Sequence, residues 1–121
     1  MAKRVNCRTK GNGYERAIVN ELKDLGYNVA TSRNESRSMD AQKVDIVSLG
    51  EKKLPFHVQC KSYTGAVKYW EILDEMPDDI PPVIFHKKTE KKNVRFVTKG
   101  EFVIMKKSDF YKALSRGESL K

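Results

Sequence analysis

An aspartate, a glutamine and a lysine stand close together in a short, mostly apolar stretch of the chain. Asp45 belongs to the apolar run 44–49, and Gln59 and Lys61 end a second apolar run, 54–61. A carboxylate and a carboxamide oxygen are hard ligands of the kind that Mg²⁺ prefers. A lysine beside them can orient or deprotonate a water molecule, or stabilise charge on a phosphate. The three residue types could therefore serve metal-assisted chemistry if the fold brings them together.

The two apolar runs predict the two strands of a β-hairpin, because a polar, glycine-containing turn at 50–53 separates them. Alternation along the second strand gives an apolar face and a polar face. These faces carry Phe56, Val58 and Cys60, and His57, Gln59 and Lys61, respectively. An antiparallel hairpin would bring Asp45 and Lys61 together across the strands. The alternative is an ordinary amphipathic hairpin with Lys61 in solvent.

An acid on the first helix is a candidate third member of the site. Residues 14–25 are periodic, Asn12 or Gly13 can open the helix, and Gly26 can end it. Glu15 falls within the apolar stripe that we predict to face the core, formed by Ile18, Val19, Leu22 and Leu25. An acid on that side is costly unless it is paired or binds a metal ion. The alternative is a first-turn acid favoured by the helix dipole.

The remaining elements complete a single α/β domain over residues 1–121, with a central mixed sheet flanked by helices. We predict strands at 27–32, 83–85, 94–98 and 101–105, helices at 66–76 and 109–114, and loops at 33–43 and 86–92. In the helix at 66–76, the stripe Val67, Trp70, Leu73 and Met76 is interpreted as core rather than as a base-stacking platform. Ser108 is the expected N-cap of the last helix, and residues 115–121 are expected to fray.

The charge balance indicates an anionic partner. The chain has 24 basic and 16 acidic residues, a net charge of +8, which most simply implies nucleic acid. A basic protein without such a partner is the alternative. No apolar run approaches the ~20 residues of a membrane span, and the N-terminus lacks the apolar segment of a signal peptide. Cys7 and Cys60 make neither a disulfide framework nor a zinc site, so we expect free thiols in a reducing cytoplasm, with Cys60 in the core.

Basic and polar residues in three segments are candidate DNA contacts. The segments are a basic arm at 1–12, expected to be flexible, the polar loop at 33–43, and the basic loop at 86–92. The residues are Lys3, Arg4, Arg8, Lys10, Arg33, Ser36, Arg37, Lys43, Lys87 and Lys88. A plain unstructured terminus and solvated surface loops are the alternatives.

The order of these features resembles the archaeal-type and phage-encoded Holliday junction resolvase family of the PD-(D/E)XK nuclease superfamily. Residues 10–33, KGNGYERAIVNELKDLGYNVATSR, resemble its opening helix and first strand, and VDIV at 44–47 and HVQCK at 57–61 resemble its two metal-site strands. Ser36-Arg37 is similar to phage-encoded members. The resemblance covers residues 10–63. Val44 departs from the usual proline, and Gln59 from the usual acid.

The resemblance implies a restriction-endonuclease-like core and a Mg²⁺- or Mn²⁺-dependent endonuclease. Such an enzyme resolves four-way DNA junctions by paired phosphodiester hydrolysis as a homodimer, in the host cytoplasm if the chain is phage-encoded. Glu15, Asp45, Gln59 and the backbone carbonyl of Cys60 would be metal ligands, and Lys61 would position the attacking water. Either Ser32 or Ser36 would be the family's loop serine.

Two other functions stay open at this point. One is a restriction- or repair-type endonuclease that acts on duplex DNA, and the other is a non-catalytic DNA-binding module on a nuclease fold.

The candidate dimer surfaces are the apolar side of helix 66–76 and the last strands.

Overall fold

A five-stranded mixed sheet forms the centre of the protein. The computed structural model describes the backbone of residues 7–119 and the side chains of residues 13–115. The strands are β1 (Val29–Thr31), β2 (Ile46–Ser48), β3 (His57–Tyr63), β4 (Pro82–Lys92) and β5 (Arg95–Met105). The helices are α1 (Cys7–Asp24), α2 (Ser32–Glu35), α3 (Arg37–Ala41), α4 (Tyr69–Glu75) and α5 (Lys107–Ser119). The strands lie side by side in chain order; β3 and β4 are parallel, and the other neighbours are antiparallel. The predicted α/β class is confirmed.

Helix α1 starts earlier than the sequence predicted. It begins at Cys7, so the predicted flexible arm is helical from that residue onward, while residues 1–6 lie outside the described part of the chain. Gly11 and Gly13 each weaken a helix by about 1 kcal/mol, which did not prevent helix formation here. The helix ends at Asp24, and Gly26 has the positive φ of 100° expected after a helix. Leu25 is 69% exposed because it lies beyond that end.

Two apolar clusters hold α1 and α4 to the sheet. The first joins Tyr14, Ile18 and Val19 of α1 to strand residues that include Val58 and Cys60. Phe56 packs against the same cluster, so the predicted apolar face of β3 is confirmed. The second cluster consists of Val44, Leu73, Met76 and Ile84. Trp70 departs from the predicted core stripe of α4, since it is 53% exposed.

The predicted loop 33–43 instead contains the two short helices α2 and α3. The Ser36 hydroxyl caps α3 by accepting a 3.3 Å hydrogen bond from the backbone N–H of Met39. Met39 packs against the second apolar cluster. The loop prediction was wrong because one cap and one apolar anchor are too few to give a periodic pattern.

Strands β4 and β5 form a long hairpin, and the predicted loop 86–92 is the second half of β4. His86 and Thr89 are buried on this strand, and Lys91 and Lys92 at its end are exposed. Asn93, with a φ of 56°, makes the tight turn. Strand β3 pairs with β4 only as far as Tyr63 and Lys88, and a register irregularity follows between Lys88 and Thr89. Beyond it the hairpin continues as a two-stranded ribbon.

The last helix also differs from its prediction. Helix α5 begins at Lys107, so Ser108 lies inside its first turn rather than at the N-cap, and the helix continues past Leu114 to Ser119. The expected frayed tail is therefore helical as far as Ser119. Among residues 7–119, no helix combines the length and the apolar character needed to cross a membrane.

Candidate active site

Asp45 lies where β2 and β3 separate. Lys43, with a φ of 67°, lies in the short connection between α3 and β2 that also contains Asp45. The Asp45 backbone N–H donates a 2.7 Å hydrogen bond to the carbonyl of Val58. The Cys60 backbone N–H donates a 2.7 Å hydrogen bond to Oδ2 of Asp45. The Asp45 carboxylate thus takes the place of a backbone carbonyl of a neighbouring strand as acceptor for Cys60. The two hydrogen bonds fix the position of Asp45 beside β3.

Glu15 reaches the same region from α1. Its side chain is only 13% exposed, in agreement with the prediction that it faces inward, and its Oε1 atom lies 3.5 Å from Nε of Arg33. Burial raises the pKa of Glu15, whereas the Arg33 charge and hydrogen bond lower it. Arg33 had been predicted as a DNA contact, and the structure gives it a partner within the protein.

The electrostatics connect these residues. The pKa of Asp45 is raised from 3.8 to about 7, chiefly by burial and also by the negative charges of Glu15 and Asp40. The hydrogen bond from Cys60 and the charge of Lys61 act in the opposite direction. Glu15 and Lys61 therefore both lie close enough to Asp45 to affect its ionisation. A strongly shifted carboxyl pKa is characteristic of functional sites.

Gln59 and Lys61 lie on the face of β3 opposite to α1. Gln59 stands between the two β3 residues that bind Asp45, and it pairs with Ile84 of the second cluster. It is 8% exposed, and its Oε1 atom has no hydrogen-bond partner among the described residues. Lys61 lines a groove of about 200 Å³ beside the start of α4. A buried carbonyl oxygen without a donor is suited to a cation.

The two candidate serines have different surroundings. Ser32 is fully buried, and its hydroxyl lies 3.4 Å from Oδ1 of Asp40, an acid that acts on both Glu15 and Asp45. Ser36 caps α3. Ser32 is therefore the serine that is connected to the acidic residues. Sequence reasoning missed Asp40, because it stands in a segment without periodicity.

Several predicted DNA contacts have partners within the protein. Lys43 lies 3.2 Å from Glu75, and the Lys87 ammonium lies 5.9 Å from the centre of the Tyr14 ring. The Lys88 ammonium donates to the carbonyls of Thr64 and Gly65. Arg37 is exposed. Lys3 and Arg4, and the side chains of Arg8 and Lys10, lie outside the described part.

The donor atoms at the site are oxygens, the type that a hard divalent cation binds. Within the described residues, no group of three or more His, Cys, Asp and Glu side chains is arranged to hold a metal ion. Glu15 and Asp45 supply two carboxylates, whereas Gln59, whose carboxamide oxygen is unpartnered, lies on the face of β3 opposite to α1, and no described contact joins it to Glu15. Oxygen donors of this kind suit Mg²⁺ or Mn²⁺.

A histidine–aspartate pair lies away from this site. His57 Nε2 is 2.7 Å from Oδ1 of Asp79, and the hydrogen bond lowers the pKa of Asp79. Both residues line a cavity of about 510 Å³ next to β2, whose walls include neither Glu15 nor Asp45. No sequence signal linked Asp79 to His57, which stands 22 positions earlier.

Comparison of the chain with protein-family models, with curated proteins and with solved structures yields no match.

Proposed function

We propose that the protein is a metal-dependent DNA endonuclease, with branched DNA, most simply a four-way junction, as its substrate. The observation that supports the proposal is the convergence of two shielded carboxylates, Glu15 and Asp45, near Lys61. Burying acids next to one another destabilises a fold, so their presence calls for a functional reason. The observed order of helix, Asp45 strand and Gln59–Lys61 strand is also the order on which the family resemblance depends.

Each residue of the site would have its own role in the reaction. Glu15, Asp45 and Gln59 would hold the cation, with the Cys60 carbonyl as a further candidate ligand. The Cys60 N–H and Arg33 fix the orientation of Asp45 and Glu15, respectively. Lys61 would orient the attacking water and stabilise negative charge on the phosphate. When bound, Mg²⁺ would supply positive charge against the charge that builds up during phosphodiester hydrolysis.

The net charge of +8 supports an anionic substrate. Arg37 and two lysines of the β4–β5 ribbon, Lys91 and Lys92, are exposed and are proposed as phosphate contacts.

A homodimer would allow two symmetric cuts across a junction. Of the two predicted dimer surfaces, the apolar side of α4 is covered, because Leu73 and Met76 are each 4% exposed. The last strand fits better, because Phe102 and Val103 are more than half exposed, as are Tyr111 and Leu114 on α5. Sedimentation equilibrium of the wild type and of Val103→Asp tests this surface. A monomeric wild type would remove the dimer from the proposal.

The decisive experiment compares labelled four-way junction with linear duplex of the same sequence, each with Mg²⁺ and with EDTA. We expect Mg²⁺-dependent cleavage of the junction in preference to the duplex. Equal cleavage of both substrates would favour a restriction- or repair-type enzyme. Binding without cleavage at any divalent concentration would favour a non-catalytic module.

A further inference from the structure

The end of the β4–β5 hairpin that extends beyond β3 is a narrow, basic ribbon. It comprises residues 89–98, because β3 pairs with only the first part of β4. Lys92 pairs with Arg95, so a two-residue turn at 93–94 joins the strands. Residues 87–99 include six basic residues and one acid, a net charge of +5 out of the +8 of the whole chain. One narrow element and its base thus carry more than half of the net positive charge.

Cations lie on both faces of this ribbon. Side chains alternate between the two faces along a strand, and residues paired directly across the strands share a face. Lys91 therefore lies on one face, and Lys92 and its partner Arg95 lie on the other. All three are exposed, whereas the carboxylate of the one acid, Glu90, lies 3.2 Å from the Lys99 ammonium. Each face of the ribbon can therefore contact a phosphate group.

The base of the ribbon lies near the proposed active site. Thr89, at this base, lines a cavity of about 260 Å³ together with Tyr14, the residue before Glu15. Lys61 pairs with the residue of β4 that stands six positions before the end of the strand. At ~3.3 Å per residue, the turn of the ribbon lies about 20 Å from Lys61. A DNA duplex that reaches Lys61 would therefore pass the ribbon within about six base pairs, at ~3.4 Å each.

The dimensions of the ribbon match one groove of DNA. A sheet with side chains on both faces is about 10 Å thick. The major groove of B-DNA is ~12 Å wide and admits a two-stranded ribbon, whereas the minor groove is only ~6 Å wide. A ribbon that enters tip first would meet a phosphate backbone on each face and base edges at its turn. Val94, in the turn, is 85% exposed, and an apolar side chain can contact the thymine methyl group, which lies in the major groove.

We infer that residues 89–98 form a DNA-binding arm that enters the major groove of a duplex segment of the substrate. This inference rests on the proposed function and adds the part of the substrate that the protein holds outside the cut. Lys91 on one face and the pair Lys92 and Arg95 on the other would contact the two phosphate backbones. Val94 would contact the bases between them. Double-stranded RNA does not fit, because its major groove is deep and narrow.

The first test compares two triple variants that lose the same charge. The ribbon variant is Lys91→Gln/Lys92→Gln/Arg95→Gln. The control variant changes exposed lysines at the end of α1 and between β2 and β3, and is Lys23→Gln/Lys52→Gln/Lys53→Gln. Anisotropy of a fluorescein-labelled linear duplex measures affinity in EDTA across a salt series. The slope of log affinity against log salt should fall by about 2–3 in the ribbon variant and by less than about 1 in the control, since each phosphate contact contributes about 0.9. Equal changes in the two variants would overturn the inference.

A single substitution tests the tip of the ribbon. Val94→Asp adds an acid where the inference places base edges between two phosphate backbones, so duplex affinity should fall at least about 10-fold. Leu25→Asp adds the same charge at a 69% exposed position after α1 and should change affinity less than about two-fold. Both positions lie on the surface, so both variants should fold, which thermal unfolding verifies. Unchanged affinity in Val94→Asp would contradict the arm.

Chemical probing identifies the groove. Dimethyl sulfate methylates the N7 atom of guanine, which lies in the major groove. In EDTA, the wild type should protect guanines of the duplex, and the ribbon variant at equal occupancy of the DNA should not. Distamycin, which fills the minor groove, should leave wild-type affinity within about two-fold. Absence of N7 protection, or competition by distamycin, would overturn the major-groove arm.

Failure of this inference can be distinguished from failure of the proposed function. Binding is measured without metal, and cleavage is measured separately with Mg²⁺. Ribbon-dependent binding without cleavage would retain the arm and remove the nuclease. Cleavage by a ribbon variant whose salt slope is unchanged would retain the nuclease and remove the arm.

Discussion

Asp45 Oδ2 accepts a 2.7 Å hydrogen bond from the backbone N–H of Cys60, so a side chain occupies the place of a backbone carbonyl at the edge of β3. One carboxylate oxygen is thereby fixed by the sheet. The relationship explains how an acid with a raised pKa keeps one geometry, and it makes substitutions at position 45 informative.

Asp45→Asn should separate binding from cleavage. The amide oxygen can still accept from Cys60, but the charge that would hold the metal ion is gone. We expect junction cleavage to fall at least about 100-fold, more than for residues that only orient ligands, while affinity in EDTA stays within a few-fold. Asp78→Asn, which changes an exposed acid before β4, is the control and should cleave normally. An Asp45→Asn protein that still cuts would place the active site elsewhere.

Gln59→Glu should lower the Mg²⁺ concentration needed for cleavage, since a charged oxygen binds a hard cation more tightly than a neutral one. Without metal the new buried carboxylate should lower the melting temperature, and Mg²⁺ should restore it. Cleavage and thermal unfolding are measured across a Mg²⁺ titration. Gln42→Glu, at an exposed position, should change neither curve. An unaltered Mg²⁺ dependence in Gln59→Glu would show that this side chain is not a ligand.

Stability should fall as pH rises, because Asp45 has a raised pKa in the folded state. Its pKa is about 7 when folded and about 3.9 when unfolded, so between these values the folded protein binds the extra proton. In EDTA, the free energy of unfolding attributable to Asp45 should decrease from pH 4 to above pH 7. Asp45→Asn should lack this decrease and be more stable at pH 8 by about 2–4 kcal/mol. Urea unfolding at pH 5 and pH 8 measures the difference; identical pH slopes in the two proteins would refute it.

The same ionisation should control activity. Metal binding needs the charged carboxylate, so cleavage at limiting Mg²⁺ should increase as pH rises through about 7. The dependence should weaken at saturating Mg²⁺, because the cation itself favours the ionised form.

The Arg33–Glu15 pair should be coupled. Arg33→Ala removes the charge that lowers the pKa of Glu15, so this pKa should rise further and the pH profile of cleavage should move upward. The loss of stability should be smaller in a Glu15→Gln background, with a coupling energy of about 1–2 kcal/mol in a double-mutant cycle. The exposed pair Lys43–Glu75 serves as control, with an expected coupling below about 0.5 kcal/mol. Equal coupling in both cycles would contradict the special position of Glu15.

Local periodicity predicted much of the site. Alternation predicted that Val58 and Cys60 face one side of β3 and that Gln59 faces the other side. Helical spacing predicted that Glu15 faces the core. Asp40 was not predicted, and Arg33 was predicted only as a DNA contact, because their segment owes its structure to a single serine cap and to Met39. Trp70 was misassigned because residues three apart drift around a helix, so Trp70 lies about 120° from the buried Met76. The left-handed conformation of Lys43, two residues before Asp45, has no signal in its residue type.

Strand β3 pairs with only the first part of β4, so the two parts of β4 differ in how many hydrogen-bonded neighbours hold them. From Pro82 to Lys88, β4 has a partner on each side, and beyond the irregularity at Thr89 it has only β5. Backbone amides between Lys88 and Lys92 should therefore exchange with solvent deuterium through small local openings, while those between Val83 and His86 exchange only when the sheet itself opens. Fluctuations of the ribbon need not disturb the strand pair that holds Asp45. The ribbon can thus change its twist while the carboxylates keep their spacing.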